Sequence, residues 1–530
     1  MSGIIPASTR VMNLAHFVTQ AKTRGPDDIA LVWRETEMTW AELDARIDAM
    51  AVALQDLGVV KGDRILLQSQ NCTQMFEAMF ACFRIGAVYV PTNFRQTAEE
   101  VAYQAQASGA NTFICNESFP DHAAAVGGIQ RKIVIGTADW GLSYDALVAA
   151  NLGRKPVEVP VDRDDPCWFF FTSGTTGKPK ASVLTHGQMA FVITNHLCDL
   201  MPGLTRADAS LVVAPLSHGA GVHQVTQVAR GIKTVLLPSD RFEVDVAWGL
   251  IEKWKVSTMF TVPTILKMMV EHESVARFDH SSLRYVIYAG APMFREDQKR
   301  ALAVLGPVIV QYYGLGEVTG AITVLPTYLH HAADGPEVKI ATCGFDRTGI
   351  QVQVQRADGT ACEPYETGEV CAIGPAVFAG YYNNPEANAK SFRNGWFRTG
   401  DLGHVDNDGF LYLTGRESDM YISGGSNVYP REIEEKILQH EAVSEVAVLG
   451  IPDPFWGEVG YAVYAVNAGH SVTEDELAAF TAAKVARYKQ PKRFIQWEAL
   501  PKSAYGKITK KMVRDELEAR GQIEQPEKTA

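Results

Sequence analysis

The sequence predicts an α/β protein: a large N-terminal domain of parallel and mixed sheets flanked by helices, an antiparallel β subdomain, and a small α+β C-terminal domain. Three observations lead to this fold class. Strand-like and helix-like segments alternate over the first three hundred residues, which is typical of βαβ units. Around residue 350 apolar and polar residues alternate one by one. From about Pro430 a shorter series of helix, strand, strand and helix begins.

The βαβ pattern is clearest between residues 64 and 115. A helix is predicted over Thr73–Arg84, because its Met and Phe residues recur at the spacing of one helix face, and another over Ala98–Ala107. Short apolar runs lie between and after these helices, as buried parallel strands require. The predicted strands are Arg64–Gln68, Ala87–Val90, Thr112–Cys115, Ile133–Ile135, Leu211–Ala214, Val235–Leu237 and Tyr285–Ala289.

The later segments predict a different arrangement. Ile350, Val352 and Val354 alternate with glutamines, which indicates a half-exposed antiparallel strand. After a glycine-rich junction, the predicted elements of the C-terminal domain are helix Glu432–Gln439, strand Glu445–Leu449, strand Tyr461–Val466 and helix Glu474–Arg487.

Composition and charge exclude several function classes. The 530 residues are 46% hydrophobic, as in an ordinary globular protein, and allow two to four domains at roughly 150 residues each. The net charge of −12 comes without a Lys/Arg-rich run, which argues against nucleic acid as a partner. Small anions remain candidates, because a few backbone N–H groups and lysines can bind them whatever the net charge.

Cysteine spacing and hydropathy predict a reduced protein of the cytoplasm. The eight cysteines never approach the spacing of a zinc site, and their closest pair has eight residues between its members. No transmembrane segment is expected, because the most apolar stretch, Met75–Val90, is interrupted by Glu77 and Arg84. The N-terminus shows no signal-peptide pattern. The sequence leaves the oligomeric state open, with a homodimer as one alternative.

A buried strand pattern at Phe169–Phe171 runs directly into a loop rich in small and hydroxyl residues. Its glycines let successive N–H groups point at one anion, and its hydroxyls and two lysines add donors and charge. Because Pro179 follows Lys178, the spacing is not that of a Walker A loop. A polar surface turn is the alternative interpretation. The candidate phosphate-binding residues are Thr172, Ser173, Gly174, Thr175, Thr176, Gly177, Lys178 and Lys180.

With this loop and eight further motifs in order, the chain resembles the ATP-dependent adenylate-forming enzymes, which include acyl-CoA synthetases, peptide-synthetase adenylation domains and firefly-type luciferases. The resemblance covers the chain from about Pro26 to Glu518. The further motifs are Ala289–Pro292, Tyr312–Glu317, Gly368–Glu369, Gly380–Asn383, Trp396–Asp401, Gly415–Asp419, Gly424–Pro430 and Pro501–Lys507.

The resemblance implies an AMP-forming carboxylic acid:CoA ligase that uses Mg²⁺, with ATP and CoA as co-substrates. It also implies a mobile C-terminal domain, residues 419–530, that rotates at Asp419 against a large domain of residues 1–418. A carboxylate attacks the α-phosphate of ATP, pyrophosphate leaves, and a thiol then displaces AMP. The implied catalytic residues are Lys507, Glu317 and Lys178, with Thr172 and Glu317 at the metal. The other implied roles are nucleotide binding by Gly290, Ala291, Pro292, Tyr313, Gly314, Asp401 and Arg416, acyl binding by His218, Gly219, Gly221, Ala289 and Tyr312, and CoA binding by Gly424 and Gly425.

Two positions depart from the family pattern. Gly316 stands where the family usually has threonine, so one hydroxyl contact is missing. We therefore expect that threonine at position 316 would restore a contact to the phosphate or the metal, and so lower the KM for ATP or raise the rate of adenylation. Ala181 stands where glycine usually follows the loop.

Other activities remain alternatives at this point. An adenylation enzyme that charges a carrier protein shares the first half-reaction, and so does a light-emitting oxygenase. A catalytically silent nucleotide-binding scaffold is the alternative from another class. The sequence does not identify the acid, which could be short or medium aliphatic, aryl or dicarboxylic.

Overall fold

The computed structural model describes residues 8–172, 178–239, 241–291, 293–416, 419–423, 426–503 and 508–523. The chain forms two compact units. One contains residues 1–352 and 372–397, and the other contains residues 353–371 and 398–530. The boundary predicted between residues 418 and 419 stays a prediction.

The elements of the described residues follow in chain order. The helices α1 to α15 are His16–Arg24, Trp40–Asp56, Thr73–Arg84, Ala98–Ser108, Pro120–Ala125, Tyr144–Asn151, His186–Asp199, Gly219–Ala229, Val244–Trp254, Pro263–Glu271, Arg295–Leu305, Pro385–Ser391, Pro430–Ile437, Glu474–Ala482 and Lys510–Ala519. The short 3₁₀ helices η1 to η4 are Glu273–Arg277, Gly316–Val318, Thr327–Leu329 and Arg487–Lys489. The strands β1 to β26 are Ile29–Trp33, Thr36–Thr39, Arg64–Gln68, Val88–Pro91, Thr112–Asn116, Arg131–Ile135, Leu142–Ser143, Pro166–Thr172, Lys180–Thr185, Ala209–Val212, Lys233–Leu236, Thr258–Thr261, Tyr285–Tyr288, Ile309–Tyr313, Thr323–Leu325, Phe345–Asp346, Gln351–Gln355, Gly368–Ile373, Phe392–Arg393, Trp396–Val405, Leu411–Arg416, Tyr421–Ser423, Ser426–Val428, Val443–Asp453, Gly457–Val466 and Arg493–Gln496.

Two mixed sheets form the first unit. A seven-stranded sheet has the order β7-β6-β5-β3-β4-β8-β9, with parallel pairs except for the antiparallel edge strand β9. A nine-stranded sheet has the order β16-β15-β14-β13-β12-β10-β11-β1-β2, parallel in the middle and antiparallel at both edges. Helices connect the parallel strands, as crossover connections require. The predicted fold class is confirmed, and α3 and β3 have the bounds that the sequence predicts.

A five-stranded sheet has the order β17-β18-β20-β19, and β21 pairs with β20. The pairs β19·β20 and β20·β21 are antiparallel. The predicted alternation in β17 holds at exposed Gln351 and buried Val354 but is wrong at Gln355, which is buried. The Gln355 side-chain amide donates to Oε1 of Gln353 over 2.8 Å, so a neighbouring polar group replaces the lost water.

The C-terminal residues form a separate sheet with the order β23-β22-β25-β24, and β26 pairs in parallel with β25. The predicted helix from Glu474 to Arg487 is too long, because α14 ends at Ala482. The side chain of Gln490 donates to the carbonyls of Ala482 and Val485, and Val485 turns into the core. These contacts replace the hydrogen bonds that a longer helix would make.

An ionic cluster joins helices α1, α2 and α3 at the core of the first unit. Arg84 donates to Asp44 over 2.8 Å and to Asp48 over 2.5 Å, and Lys22 donates to Asp44 over 2.8 Å. Both carboxylates are buried. Burial would raise the pKa of Asp44, but Arg84 and Lys22 outweigh burial and hold this pKa below its ordinary value. Asp44 therefore stabilises the fold only while it stays ionised.

Methionine in place of Arg84 should lower the free energy of unfolding by about 3 kcal/mol, because Arg84 is the most buried of the three cations that pair with Asp44 and Asp48, and Lys22 and Lys155 are more exposed. Urea unfolding at pH 7 measures the loss. Arg154→Met is the matched control, since Arg154 pairs with Asp56 at the exposed surface and should cost under about 1 kcal/mol. The contribution of Asp44 is complete above the ordinary carboxyl pKa of about 3.9 and is lost as the pH falls through the lower folded value. Equal effects of the two substitutions at pH 7 would contradict this account.

Within the described ranges, no helix is both long enough and apolar enough to cross a bilayer. Six of the eight cysteines are buried as free thiols, which agrees with the prediction of reduced core cysteines. No group of three or more His, Cys, Asp or Glu side chains in the described part of the chain is placed to hold a metal by itself.

Candidate active site

The end of strand β8 meets the short helix η2 around a buried carboxylate. Thr172, the last residue of β8, donates from Oγ1 to Oε1 of Glu317 over 2.8 Å. The hydroxyl of Tyr381 donates to the same oxygen over 2.9 Å. Only 5% of Glu317 is exposed, and hydroxyl donors of this kind are what a buried carboxylate needs. The structure thus brings together Thr172 and Glu317, the two predicted metal ligands.

Tyr381 is a site residue to which sequence reasoning gave no role. Burial, and then the charge of Glu317, raise the pKa of the Tyr381 hydroxyl well above its ordinary value, so the hydroxyl remains a donor. Nζ of Lys180 lies 4.5 Å from the centre of the Tyr381 ring. Tyr381 therefore contacts both the carboxylate and a lysine of the phosphate loop. The available signal was its place in the Gly380–Asn383 motif.

The other predicted loop residues are only partly described. Lys178 is exposed, with its Nζ 5.6 Å from the centre of the Tyr103 ring. The hydroxyl of Tyr103 donates to the carbonyl of Pro179 over 3.0 Å, so this tyrosine supports the segment that carries both lysines. The predicted residues Ser173, Gly174, Thr175, Thr176 and Gly177 lie outside the described residues.

The space that the family usually gives to threonine is filled by neighbours in this chain. A Cβ at Gly316 would lie 2.8 Å from Cδ1 and Cε1 of Phe170 and 2.8 Å from Cγ2 of Thr172. Carbon atoms in favourable contact stay about 3.5–4.0 Å apart. The expectation that threonine at position 316 would simply restore a contact is therefore wrong, because the new side chain would first displace Phe170 or Thr172.

Gly316→Thr should lower kcat/KM for ATP roughly tenfold or more, since overpacking costs about 1–3 kcal/mol and acts on Thr172 and so on Glu317. Steady-state kinetics with varied ATP measure the effect. Adding Phe170→Leu in the same chain should return part of the activity, because the smaller side chain makes room. A lower KM for ATP in the single variant would contradict the steric account.

The first of the residues predicted to bind the adenine of the nucleotide follow strand β13. Gly290 has φ 86°, a left-handed conformation that glycine adopts without strain, and both Gly290 and Ala291 are exposed. Tyr313 is half-buried at the end of β14. A Cβ at Gly314 would lie 2.5 Å from the backbone of Gly320, so this glycine permits a close backbone approach. Pro292, also predicted here, lies outside the described residues.

A buried network fixes the strand end beside this turn. Nδ1 of His330 donates to the carbonyl of Pro326 over 2.9 Å. Burial lowers the pKa of His330 to about 4, so the ring is neutral and its Nε2, which carries no proton, can accept a hydrogen bond. The hydroxyl of Tyr288 accordingly donates to this Nε2 over 3.0 Å and accepts from Nε2 of Gln298 over 3.1 Å. The network holds the last residue of β13. Its partners come from separate elements, so sequence reasoning could not find it.

The second unit brings together the two predicted ribose-binding residues. Asp401 and Arg416 face each other in the antiparallel pair β20·β21, and Nε of Arg416 donates to Oδ1 of Asp401 over 3.0 Å. The backbone N–H of Asp401 donates to Oγ1 of Thr399 over 3.0 Å. The pair offers an acceptor and donors side by side, as the hydroxyls of a ribose require. Ribose binding by this pair stays a prediction.

Asp419, the predicted hinge, also lies in the second unit. Its backbone N–H donates to the carbonyl of Arg416 over 3.0 Å, and the N–H of Met420 donates to the same carbonyl over 3.1 Å. Predicted residues Gly424, Gly425 and Lys507 lie outside the described residues, so their roles stay predictions.

Aromatic rings surround the predicted acyl-binding segment in the first unit. The ring of half-buried His218 lies 4.5 Å from the ring of Phe170, tilted by 33°. A Cβ at Gly219 would lie 3.2 Å from the Phe260 ring and 3.8 Å from the hydroxyl of Tyr312. The rings of Phe260 and Tyr312 are 6.0 Å apart and nearly parallel. Gly219 therefore lies directly against aromatic rings, at a position where even a Cβ would be tight.

Gly221 and Ala289 are buried, as is Tyr312, whereas His218 and Gly219 are half-buried. A Cβ at Gly221 would collide with the carbonyl of Leu216 and approach the Trp168 ring to 2.7 Å, so glycine is required there for packing. Ala289 is buried in an apolar cluster with Tyr312. Acyl binding by all five of these residues stays a prediction.

The chain matches known proteins over nearly its whole length. Residues 17–382 match the AMP-binding enzyme family, and residues 432–507 match the AMP-binding enzyme C-terminal domain. A feruloyl-CoA synthase of Amycolatopsis sp is 36% identical over 482 residues, which cover 90% of this chain and 94% of that protein. The 2-succinylbenzoate–CoA ligase of Bacillus subtilis is 32% identical over 498 residues, covering 92% and 95%. The long-chain-fatty-acid–CoA ligase FadD13 of Mycobacterium tuberculosis is 34% identical over 515 residues, covering 96% and 99%.

A solved structure agrees with these relatives. The O-succinylbenzoate coenzyme A synthetase MenE of Bacillus subtilis, in complex with ATP and a magnesium ion, is similar with a TM-score of 0.82 and 31% identity. The match covers 95% of this chain and 99% of that one. With the buried Thr172–Glu317 pair and the family match across both units, the chain belongs to the AMP-binding enzyme family and is an AMP-forming acid–thiol ligase.

Proposed function

We propose that this chain activates an aromatic carboxylic acid with ATP and transfers the acyl group to coenzyme A. In the first step a carboxylate oxygen bonds to the α-phosphorus, the bond to the β-phosphate bridge breaks, and pyrophosphate leaves. In the second step the CoA sulfur, having lost its proton, bonds to the carbonyl carbon, and AMP leaves with the bridging oxygen.

The aromatic residues beside the acyl-binding segment are the reason for proposing an aromatic acid. Phe260 and Tyr312 lie against Gly219, and the Phe170–His218 pair lies beside the same segment. Offset or edge contacts with such rings favour a planar ring over a flexible chain. Two of the three named relatives are called after acids that contain an aromatic ring, and FadD13 is called after fatty acids.

The phosphate chemistry rests on charge and orientation rather than on acid–base catalysis. Lys178 and Lys180 supply positive charge where two anions must approach each other. Glu317 and Thr172 offer carboxylate and hydroxyl oxygens, the donors that Mg²⁺ prefers when substrate phosphates complete its coordination. Bound Mg²⁺ would neutralise phosphate charge. Tyr381 keeps the Glu317 carboxylate oriented through its hydrogen bond.

A panel of acids tests the proposed function. Purified protein with ATP, Mg²⁺ and CoA should release pyrophosphate and AMP with benzoate, phenylacetate or cinnamate at a kcat/KM at least tenfold above that for acetate, octanoate or palmitate. Chromatography should identify the acyl-CoA product. ADP as the nucleotide product, or a preference for an aliphatic acid, would contradict the proposal.

An exposed aromatic corner of the second unit suits the adenine of CoA. Phe455 is 82% exposed and Trp456 is 43% exposed at the turn between β24 and β25. Nζ of Lys492 lies 5.8 Å from the centre of the Trp456 ring. A ring beside a cation can stack on a base and attract a phosphate. We assign this corner, which sequence reasoning missed, to CoA.

Trp456→Ala should raise the KM for CoA about tenfold, because base–aromatic stacking is worth roughly 1–3 kcal/mol. Acid-dependent exchange of pyrophosphate into ATP without CoA should stay unchanged. Tyr328→Ala is the matched control, since Tyr328 is an exposed aromatic residue of the first unit. An equal KM for CoA in the two variants would contradict the assignment of Trp456 to the CoA site.

A further inference from the structure

A cluster of buried polar side chains lies behind the aromatic rings of the acyl-binding segment. Arg347 is fully buried, with its Nε 3.6 Å from Oδ2 of Asp199. Another guanidinium nitrogen donates to Nδ1 of His196 over 3.2 Å. The rings of His196 and His223 lie 4.8 Å apart, and each residue is only 1% exposed. Nothing in the reaction described above uses these side chains.

The hydrogen-bond chemistry of the cluster is incomplete at its histidine end. Because a guanidinium can only donate, Nδ1 of His196 accepts and its Nε2 carries the proton. This Nε2 has no hydrogen-bond partner among the described residues, and the same is true of each ring nitrogen of His223. Burial, and then the positive charge of Arg347, lower the pKa of His223 to about 3, so its ring is neutral with one donor and one acceptor. Buried polar atoms without partners are rare, and such atoms often mark a missing ligand or water.

The unpartnered nitrogens lie one helical turn beyond the acyl-binding segment. Gly219 and His223 are four residues apart on α8 and therefore share one face of the helix. The Phe260 ring borders the empty Cβ position of Gly219 and stacks on His223 at 4.4 Å, tilted by 13°. Tyr312 likewise borders Gly219, and its ring lies 5.8 Å from that of His223. Phe260 and Tyr312 therefore lie against both Gly219 and His223, and they link the acyl-binding segment to the ring nitrogens of His223.

We infer that His223, together with His196, recognises a hydroxyl group at the far end of the acid's aromatic ring and so determines specificity. This inference rests on the proposed function. A hydroxyl both donates and accepts, which matches the unused donors and acceptor of the two imidazoles. A second carboxylate fits less well, because the charge of Arg347 is already paired with Asp199 and a further buried charge would lack compensation.

Pairs of acids that differ by one para-hydroxyl test the inference. The pairs are benzoate with 4-hydroxybenzoate, phenylacetate with 4-hydroxyphenylacetate, and cinnamate with 4-hydroxycinnamate, each assayed by pyrophosphate release. For the pair whose length fits, the wild-type chain should prefer the hydroxylated acid by at least tenfold in kcat/KM, because a site built for a hydroxyl rejects the analogue that lacks it.

His223→Phe keeps a ring against Phe260 but removes both nitrogens, so the kcat/KM for the hydroxylated acid should fall to that for the unsubstituted acid. His186→Phe is the matched control. His186 is also a buried histidine whose ring nitrogens have no partner among the described residues, but it packs against Phe83 instead. The control should keep the preference, and melting temperatures should show both variants folded.

The outcomes separate the inference from the proposed function. Equal use of both members of every pair by the wild-type chain, or an unchanged preference in His223→Phe, would each overturn the inference and leave the ligase activity in place. Absence of pyrophosphate release with every acid would overturn the proposed function itself.

Discussion

Glutamine in place of Glu317 should lower the rate of adenylate formation by two to three orders of magnitude. The amide oxygen can still accept from Thr172 and Tyr381, so the local packing is preserved while the charge is lost. Charge contacts to a reacting phosphate are worth about 3–4 kcal/mol. Acid-dependent pyrophosphate release at saturating ATP measures the rate, and a magnesium titration should show a higher half-saturating concentration.

Tyr381→Phe is the control for this prediction. It removes one donor to Glu317 but leaves the carboxylate and the Thr172 hydrogen bond, so it should lower the rate only about tenfold. A Glu317→Gln variant that keeps more than half of the wild-type rate with an unchanged magnesium response would contradict the assignment of Glu317.

Alanine in place of Lys507 should separate the two half-reactions. The resemblance implies that this lysine neutralises the attacking carboxylate and the α-phosphate, so adenylate formation should fall by several orders of magnitude, at about 3–4 kcal/mol or more. Thioester formation from chemically supplied acyl-adenylate should survive, because the resemblance implies that the C-terminal domain rotates and carries Lys507 away before the second half-reaction. Single-turnover assays of each half-reaction measure the two rates.

Asp419→Pro provides the opposite comparison. Proline fixes φ near about −65°, so the predicted hinge should stiffen even though the N–H that donates to the Arg416 carbonyl is lost. Adenylate formation should persist if the first arrangement is retained, while thioester formation should collapse. Parallel loss of both half-reactions in both variants would refute the rotating-domain account.

Local patterns predicted the fold where one signal dominates. Helix α3 keeps its predicted bounds because aromatic and Met residues mark one face over its whole length. Helix α14 ends early because the side chain of Gln490, eight residues beyond Ala482, donates to the Ala482 carbonyl and caps the helix. Local helix propensity does not predict this contact. Gln355 is buried because a neighbouring glutamine replaces water, which an alternating pattern does not reveal.

The candidate site shows the same limit. The motifs named Thr172 and Glu317 separately, and only the fold shows that they share a hydrogen bond across 145 residues of sequence. The expectation for Gly316 failed because Phe170, on another element, occupies the space that threonine would need. Ring nitrogens of His196 and His223 lack partners among the described residues because both side chains are buried, and burial of a particular histidine cannot be read from the sequence.

An oxygen-18 experiment tests the central claim, that a carboxylate of an aromatic acid attacks the α-phosphate of ATP. The acid, labelled with ¹⁸O at both carboxylate oxygens, is converted to its CoA thioester, and the released AMP is analysed by mass spectrometry. The account predicts one ¹⁸O atom in each AMP molecule, because the attacking oxygen stays on phosphorus when the thiol takes the acyl group. Unlabelled AMP, or ADP in its place, would contradict it.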